Sequence, residues 1–348
     1  MARKTYIDWL RIFAIILVIY NHTRAKGFEL FLVTDDKVSY TLSFMMYPIC
    51  KIAVPIFLMI SGVTLLSKKE MLKDLYKKRV LKYLILILIF GTLQFLRYIR
   101  VGKVPLSLTA WFTSIYSVPI LETYWFLYLY LGFLLILPLL RKVTSVIEKQ
   151  EYLYLFILCN IFQLLYCVGY FTGYYINGNI FSFSINIFYP LMGFGINKYC
   201  ENIKVRFIIL LTVLSEIFIV VIGLLYIKKF PDSQENVVSV FQLFIPLLSI
   251  EIFMIFKVGC NKKKSKLVRI IGQAVFGIYL IEDMVRNQVE KMLYKVNFHF
   301  VGSEFVFCMI FVFVSFAISL LIVIGFRKIF CKKNELFNKI CDRMSTDN

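Results

Sequence analysis

The chain is a series of long apolar blocks separated by short charged stretches, and this pattern limits its fold more tightly than any other feature of the sequence. A helix needs about 20 mainly apolar residues to cross roughly 30 Å of hydrocarbon. Blocks of that order fall at about 6–22, 40–66, 80–97, 121–140, 151–170, 180–197, 205–227, 237–256, 267–286 and 303–326. Of the 348 residues 60% are hydrophobic and 18% charged, against about half and a quarter in ordinary soluble domains. The expectation is an all-α, polytopic membrane protein with about ten transmembrane helices. It is read as one membrane domain over 1–330, followed by a tail over 331–348. The first block is read as a span and not as a cleavable signal, because no small-residue cleavage site follows it and Asp8 and Arg11 lie inside it.

The distribution of Lys and Arg gives an orientation. With the first residue on the cytoplasmic side, 26 basic residues fall in inner segments and 11 in outer ones. Short loops rich in Lys and Arg stay in the cytoplasm, so both termini are expected there, in a multi-pass cell-membrane protein. The same asymmetry accounts for most of the formal charge of +19. That charge is therefore read as a topology signal that also touches anionic lipid, and not as a nucleic-acid surface. Eight Cys are scattered without a C-x-x-C pair and only two His are present, so no metal site is expected.

Ionisable groups inside hydrocarbon cost several kcal/mol and need a partner, a wet cavity or a function. The first block contains three: Asp8, Arg11 and His22. Asp8 and Arg11 are three apart, on one helix face and able to pair. His22 follows Arg11 by eleven residues, about three turns and some 16 Å along the axis, nearly in line with it. Two readings stay open. Either the stripe lines a path into the bundle, or Asp8 and Arg11 are interfacial anchors and His22 a satisfied polar residue. Lys51, in a block interrupted by Pro48, Pro55 and Gly62, is a further intramembrane charge. Those residues predict a kinked or broken helix. No matching interruption is evident in the second half, which counts against a secondary transporter built of two repeats.

The stretch Tyr6–His22, with Asp-x-x-Arg followed eleven residues later by His, resembles the first helix of the acyltransferase-3 family of membrane acyltransferases. Three further segments are similar in the same order: Val-Pro-Ile-Phe-Leu-Met-Ile-Ser-Gly over 54–62, Tyr-Trp-Phe-Leu from Tyr124 with Pro-Leu-Leu-Arg ending at Arg141, and Gly-Ile-Tyr-Leu-Ile over 277–281. The resemblance implies acyl transfer, usually of acetyl, from acetyl-coenzyme A to a hydroxyl on a cell-surface glycan or lipid-linked sugar. It implies His22 as base or acyl carrier, Asp8 as the holder of Arg11, and Arg11 as an oxyanion or phosphate ligand. Many family members follow the last segment with His, where this chain has Glu282-Asp283. Glu282 then either keeps a polar catalytic role or, with Asp283, caps a helix.

Donor phosphates are expected in the basic segment 68–82, with Arg79 singled out by the resemblance and Lys78 and Lys82 beside it. Plain positive-inside charge remains the other reading of that segment. Ser61, Tyr279 and Trp125 are carried over as substrate-side residues, with Glu122 beside Trp125 at an acceptor mouth. An aromatic-belt role for Trp125 is equally open. The alternative function is a glycan exporter or flippase on the same scaffold, which would keep all of these motifs.

Overall fold

A computed structural model describes residues 4–117, 124–176, 184–201, 203–260, 265–293 and 301–331. The described residues are helical, with turns between and no strand. Glu122, Lys262, Lys263, Lys264 and the tail beyond Cys331 lie outside them. The helices are α1 (Thr5–Asn21), α2 (Lys37–Lys51), α3 (Ala53–Leu65), α4 (Leu72–Leu75), α5 (Leu81–Arg100), α6 (Leu108–Ser117), α7 (Trp125–Val146), α8 (Lys149–Thr172), α9 (Ile185–Tyr199), α10 (Val205–Lys229), α11 (Val237–Leu243), α12 (Ile245–Cys260), α13 (Lys266–Leu293) and α14 (Ser303–Cys331). A five-residue π segment, Tyr76–Val80, joins α4 to α5.

Each of the ten apolar blocks carries a helix, but the number that qualify as spans is smaller. Among the described residues six helices are long and apolar enough to cross a membrane, or seven if α11 and α12 are one bent span. The shortfall has a physical origin. Helices α1 and α9 have 17 and 15 residues, and α13 carries Glu282, Asp283 and Arg286. The helix α6 lies between the expected third and fourth blocks, where the sequence pattern showed none.

The chain divides into two compact units, one formed by Met1–Val63 with Glu148–Asn348, the other by Thr64–Ile147. In the first, α1 is mainly apolar and largely buried, with Leu10, Ala14, Ile15 and Ile19 fully enclosed. A helix of that kind belongs in the centre of a bundle, and α1 is packed by α2, α12, α13 and α14. Helices α3 and α9 meet backbone to backbone. A Cβ at Gly62 would lie 2.0 Å from the Pro190 carbonyl oxygen, and one at Gly193 would lie 2.3 Å from that of Met59. Gly62 of the Ser-Gly pair is therefore a packing requirement. At the far end of α9, Lys257 Nζ donates to the carbonyls of Ile196 (2.5 Å), Asn197 (3.1 Å) and Cys200 (2.6 Å), satisfying groups the helix end leaves open.

Between α1 and α2 the chain does not form a loose loop. Phe28 stacks on Tyr47 at 4.3 Å, Phe31 meets Phe44 edge-on at 5.3 Å, and Phe44 meets Phe241 of α11 at 5.0 Å. Lys51 ends α2 with its ammonium 4.6 Å from the centre of the Phe28 ring, a cation–π contact that supplies the charge with a partner. Asp36 caps α2 by accepting from Ser39 N–H and also accepts from Gly302 N–H ahead of α14, both at 2.9 Å.

The expected interruption of the second block is present, since α2 gives way to α3 at Ile52. A second break lies between α11 and α12, with a bend of 48°. There Phe244 leaves helical geometry and Pro246 supplies no N–H. The absence of a broken helix in the second half, expected from sequence, is thus corrected, and the argument it gave against a transporter falls away.

The second unit is built around Tyr83, Tyr130 and Phe133. Tyr83 stacks on Tyr130 at 4.6 Å, and Phe133 lies 5.7 Å from Tyr130. Trp111 of α6 donates its indole N–H to Thr92 at 3.0 Å, and the Tyr128 hydroxyl donates to the Ile115 carbonyl at 2.8 Å, so α6 is tied to both α5 and α7. The other face of α5 exposes Leu81, Leu84, Ile85, Leu88, Ile89, Leu93 and Leu96. Exposed apolar side chains at that helical spacing suit contact with lipid.

Candidate active site

The site in the first unit begins where the end of one helix meets the middle of another. His22 directly follows the last residue of α1, where its own N–H still bonds back to the Val18 carbonyl. Helix α13 presents a buried stripe of Val268, Gly272, Val275, Tyr279, Glu282 and Val289. The two elements are 260 residues apart in the chain and pack together along their length. At their junction His22 Nδ1 lies 2.6 Å from Glu282 Oε1.

Glu282 is fully buried, and the His22 side chain keeps 18% of its surface open. Glu282 Oε1 accepts in this contact when the imidazole carries its proton on Nδ1. The other oxygen, Glu282 Oε2, faces Arg286 Nε at 3.6 Å, beyond hydrogen-bond range but well within that of Coulomb attraction. Arg286 in turn donates from Nη2 to Asp283 Oδ1 at 2.7 Å. The carboxylate that orients the imidazole is thus itself braced by a guanidinium one turn further along α13. Glu282 and Asp283 do not serve as a simple helix cap, since both are buried in the interior of α13.

Chemically this arrangement has the parts that a general base requires. A neutral imidazole whose Nδ1–H is bound to a carboxylate presents its Nε2 lone pair in a fixed direction. When Nε2 takes a proton, the new positive charge forms beside Glu282 and is stabilised there.

Asp8 and Arg11 form the expected pair, Asp8 Oδ1 to Arg11 Nη1 at 3.7 Å, and both are buried. Gly272 of α13 makes room for Asp8, whose Cβ would lie 2.8 Å from a Cβ at that position. About three helical turns separate the pair from His22. Helix α13 therefore contacts both ends of the α1 stripe. Ser61 is buried and its hydroxyl donates to the Phe57 carbonyl at 2.8 Å, one turn back in α3. Tyr279 is buried one turn before Glu282.

The remaining expected site residues belong to the second unit. Arg79 lies in the π segment, is buried, and contacts Glu70 Oε1 and Oε2 through its Nε at 3.3 and 3.1 Å. Arg141 of α7 contacts the same carboxylate, Nη2 to Oε2, at 3.1 Å, and its Nε donates to the Leu65 carbonyl at 3.1 Å. Lys78 is exposed and pairs with Asp74 at 3.0 Å, and Lys82 is half-buried. Trp125 opens α7 with 41% of its surface exposed.

Sequence reasoning missed Arg286, Glu70 and the role of Arg141. Glu70 and Arg141 reveal themselves through burial and through partners distant in the sequence, which a single sequence does not show, whereas the i, i+4 and i, i+3 spacing of Arg286 from Glu282 and Asp283 could have found it. Among the described residues, no group of His, Cys, Asp and Glu side chains forms a candidate metal site.

A family model described as an acyltransferase domain matches residues 4–324, nearly the whole chain and both units. No curated protein and no solved structure matches.

Proposed function

From the premise that this chain belongs to that acyltransferase family, we propose that it transfers an acyl group, acetyl in the simplest case, from acetyl-coenzyme A to a hydroxyl of a cell-surface glycan or lipid-linked sugar. The observation that carries this reading is the 2.6 Å contact between His22 Nδ1 and Glu282 Oε1, with Glu282 fully buried.

A sugar hydroxyl attacks a thioester only as it loses its proton. In the proposed step His22 Nε2 takes that proton while the oxygen bonds to the acyl carbon. Collapse of the tetrahedral adduct breaks the carbon–sulfur bond, and the imidazolium returns the proton to the departing thiolate. Glu282 holds the ring and its charge throughout, and Arg286 holds Glu282. An alternative course uses Nε2 as a transient acyl carrier with the same residues. Arg11 is about three turns from His22 along α1, so we assign it to holding the donor and not to the oxyanion. Asp8 keeps it in place. Donor phosphates are assigned to Arg79, with Lys78 and Lys82 adding field. Ser61, Tyr279 and Trp125 are assigned to the acceptor or the acyl chain. The donor enters from the cytoplasm, where coenzyme A resides and where the basic segments are expected to lie.

The test is transfer of labelled acetyl from acetyl-coenzyme A by the purified protein, paired with mass spectrometry of surface glycans from cells with and without it. Loss of an acetyl group from the glycan, reproduced by His22→Ala at equal expression, is the expected result. Unchanged glycan acetylation, with failed export of the glycan instead, would move the protein to the exporter reading.

A further inference from the structure

For His22 to act as a base its ring must stay on Glu282, and a side chain is only as steady as the backbone that carries it. Helix α1 ends at Asn21, so His22 follows the last turn of a helix, where chains ordinarily fray. Here that turn is fastened. The buried Thr23 hydroxyl donates to the Tyr20 carbonyl at 2.6 Å and accepts from the Phe28 N–H at 2.9 Å. The Thr23 N–H also donates to the Tyr20 carbonyl, at 2.9 Å. One residue thus ties the last turn of α1 to the segment that follows it, and His22 lies between the tied points.

The rest of the turn is closed around Thr23. Tyr20, 1% exposed, donates its hydroxyl to the Gly27 carbonyl at 2.9 Å. A Cβ at Gly27 would lie 2.0 Å from Cys308 Sγ of α14 and 2.7 Å from Thr23 Oγ1, so the turn is pressed against α14 with the Thr23 oxygen in the contact. Arg24 takes φ 51°, alone in this among the described residues other than glycine. Such a conformation persists only where the surroundings dictate it. Lys26 then pairs with Glu290 of α13, about two turns on from Glu282. The turn after His22 is therefore joined to the same helix that carries the partner of its imidazole.

We propose that Thr23 is a positioning residue for His22: its hydroxyl fixes the backbone at the end of α1, so that the imidazole stays on Glu282 with Nε2 presented in one direction. This rests on the reading of His22 as base or acyl carrier given above. Glu282 sets the ring from the side of α13, and Thr23 sets the chain from which the ring hangs. Thr23 acts through His22 and not on the substrate, so its loss falls on turnover and not on donor binding. A small displacement of a reacting group is enough to matter, because catalysis depends on near-attack geometry.

The experiment compares Thr23→Val, which keeps the shape without the hydroxyl, with Thr23→Ser, which keeps the hydroxyl, in the full chain in nanodiscs. Each is made alone and together with His22→Ala. Acetyl transfer from acetyl-coenzyme A is one readout. The other is the rate at which diethyl pyrocarbonate labels His22, followed by mass spectrometry, which requires no acyl transfer. Thr23→Val should lower kcat about ten- to a hundred-fold with KM for the donor unchanged, and Thr23→Ser should recover most of the loss. In the His22→Ala background Thr23→Val should add nothing further, since residues that act as one unit are not additive. His22 should label faster in Thr23→Val and at the wild-type rate in Thr23→Ser. Thr23→Ala decides the matter by the same readouts if Thr23→Val does not fold. An equal loss of kcat with and without His22, or an unchanged kcat, would make Thr23 a structural residue only and overturn the proposal, while leaving the acyltransferase reading intact. If no form transfers acetyl, faster labelling in Thr23→Val that Thr23→Ser reverses would uphold the positioning role and remove the acyltransferase reading, and unchanged labelling would overturn it.

Discussion

Two buried charge clusters, one in each unit, solve the same problem of holding ionic groups in a largely apolar protein, and they solve it differently. Around His22 the partners are carried on helices α1 and α13, and the direct contacts are short: 2.6 Å from His22 to Glu282 and 2.7 Å from Arg286 to Asp283. Around Glu70 two of the partners are on helical elements, the third is on a connection, and the contacts are 3.1–3.3 Å. The difference teaches how the mounting of a charged group sets the precision with which it is held. A helix-mounted, close-bonded partner is preorganised, and preorganised dipoles are what stabilise charge as it forms in a reaction. A loop-mounted partner at longer range is less so.

The sharpest way to break this comparison is to remove the fixed member. His22→Ala should lower turnover about a hundred- to ten-thousand-fold, as expected for loss of a general base, while coenzyme A binding is retained. Glu282→Gln keeps the shape but not the charge, and should cost a smaller part of the same loss, again in kcat and not in KM. Steady-state kinetics beside a binding isotherm reads both. Normal turnover in His22→Ala at equal folded protein would dissolve the distinction between the two clusters.

Next in size is the cluster around Glu70. Arg79→Ala should raise the KM for the acyl donor roughly ten- to a hundred-fold through loss of a charged phosphate contact, with kcat at saturation changed far less. A drop in kcat at unchanged KM would place Arg79 on the same footing as His22.

The close crossing of α3 and α9 in the same unit can be tested through Gly62. Gly62→Ala forces a methyl group against the Pro190 carbonyl, which cannot move aside like a side-chain tip. Overpacking of this kind costs about 1–3 kcal/mol, and thermal unfolding in detergent should show it. Unaltered stability would mean that α3 and α9 can separate freely.

The smallest effect concerns pH. The Asp36 carboxyl is held below its ordinary range by hydrogen bonds from Ser39, hydroxyl and N–H, with a further one from Gly302 N–H. Its contribution to stability is complete above the ordinary carboxylate range and is lost as pH falls through the depressed value. Asp36→Asn should therefore flatten the acid side of the stability profile and leave the neutral side shifted uniformly. An unchanged acid slope would remove Asp36 as its source.

Much of this was legible in the residues. Apolar block length called for helices, and every block carries one. The i, i+3 spacing of Asp8 and Arg11 called for a pair, and the pair is present at 3.7 Å. Spacing along one helix is a local property and can be read from the chain. The partner of His22 is not local, because no periodicity connects residue 22 with residue 282, so Glu282 stood out only as a departure from the resemblance. Composition and spacing did not separate the charges of 68–82, and Arg79 was singled out by the resemblance alone. Burial separates them, leaving Lys78 in solvent with Asp74 and enclosing Arg79 with Glu70. The span count was the least legible quantity. Length and hydropathy criteria pass over α1, α9 and α13 because they are short or charged, and α1 and α13 are the helices that carry the candidate site.

The crossing of α3 and α9 also has a genetic consequence. Where a substitution clashes with a neighbouring side chain, a smaller residue at the second position can restore the fit, and suppressors arise. At Gly62 and Gly193 the obstructions are the main-chain atoms of Pro190 and Met59, which no codon change can shorten. A selection for restored activity, begun from Gly62→Val, should return glycine at that codon and few compensating changes elsewhere.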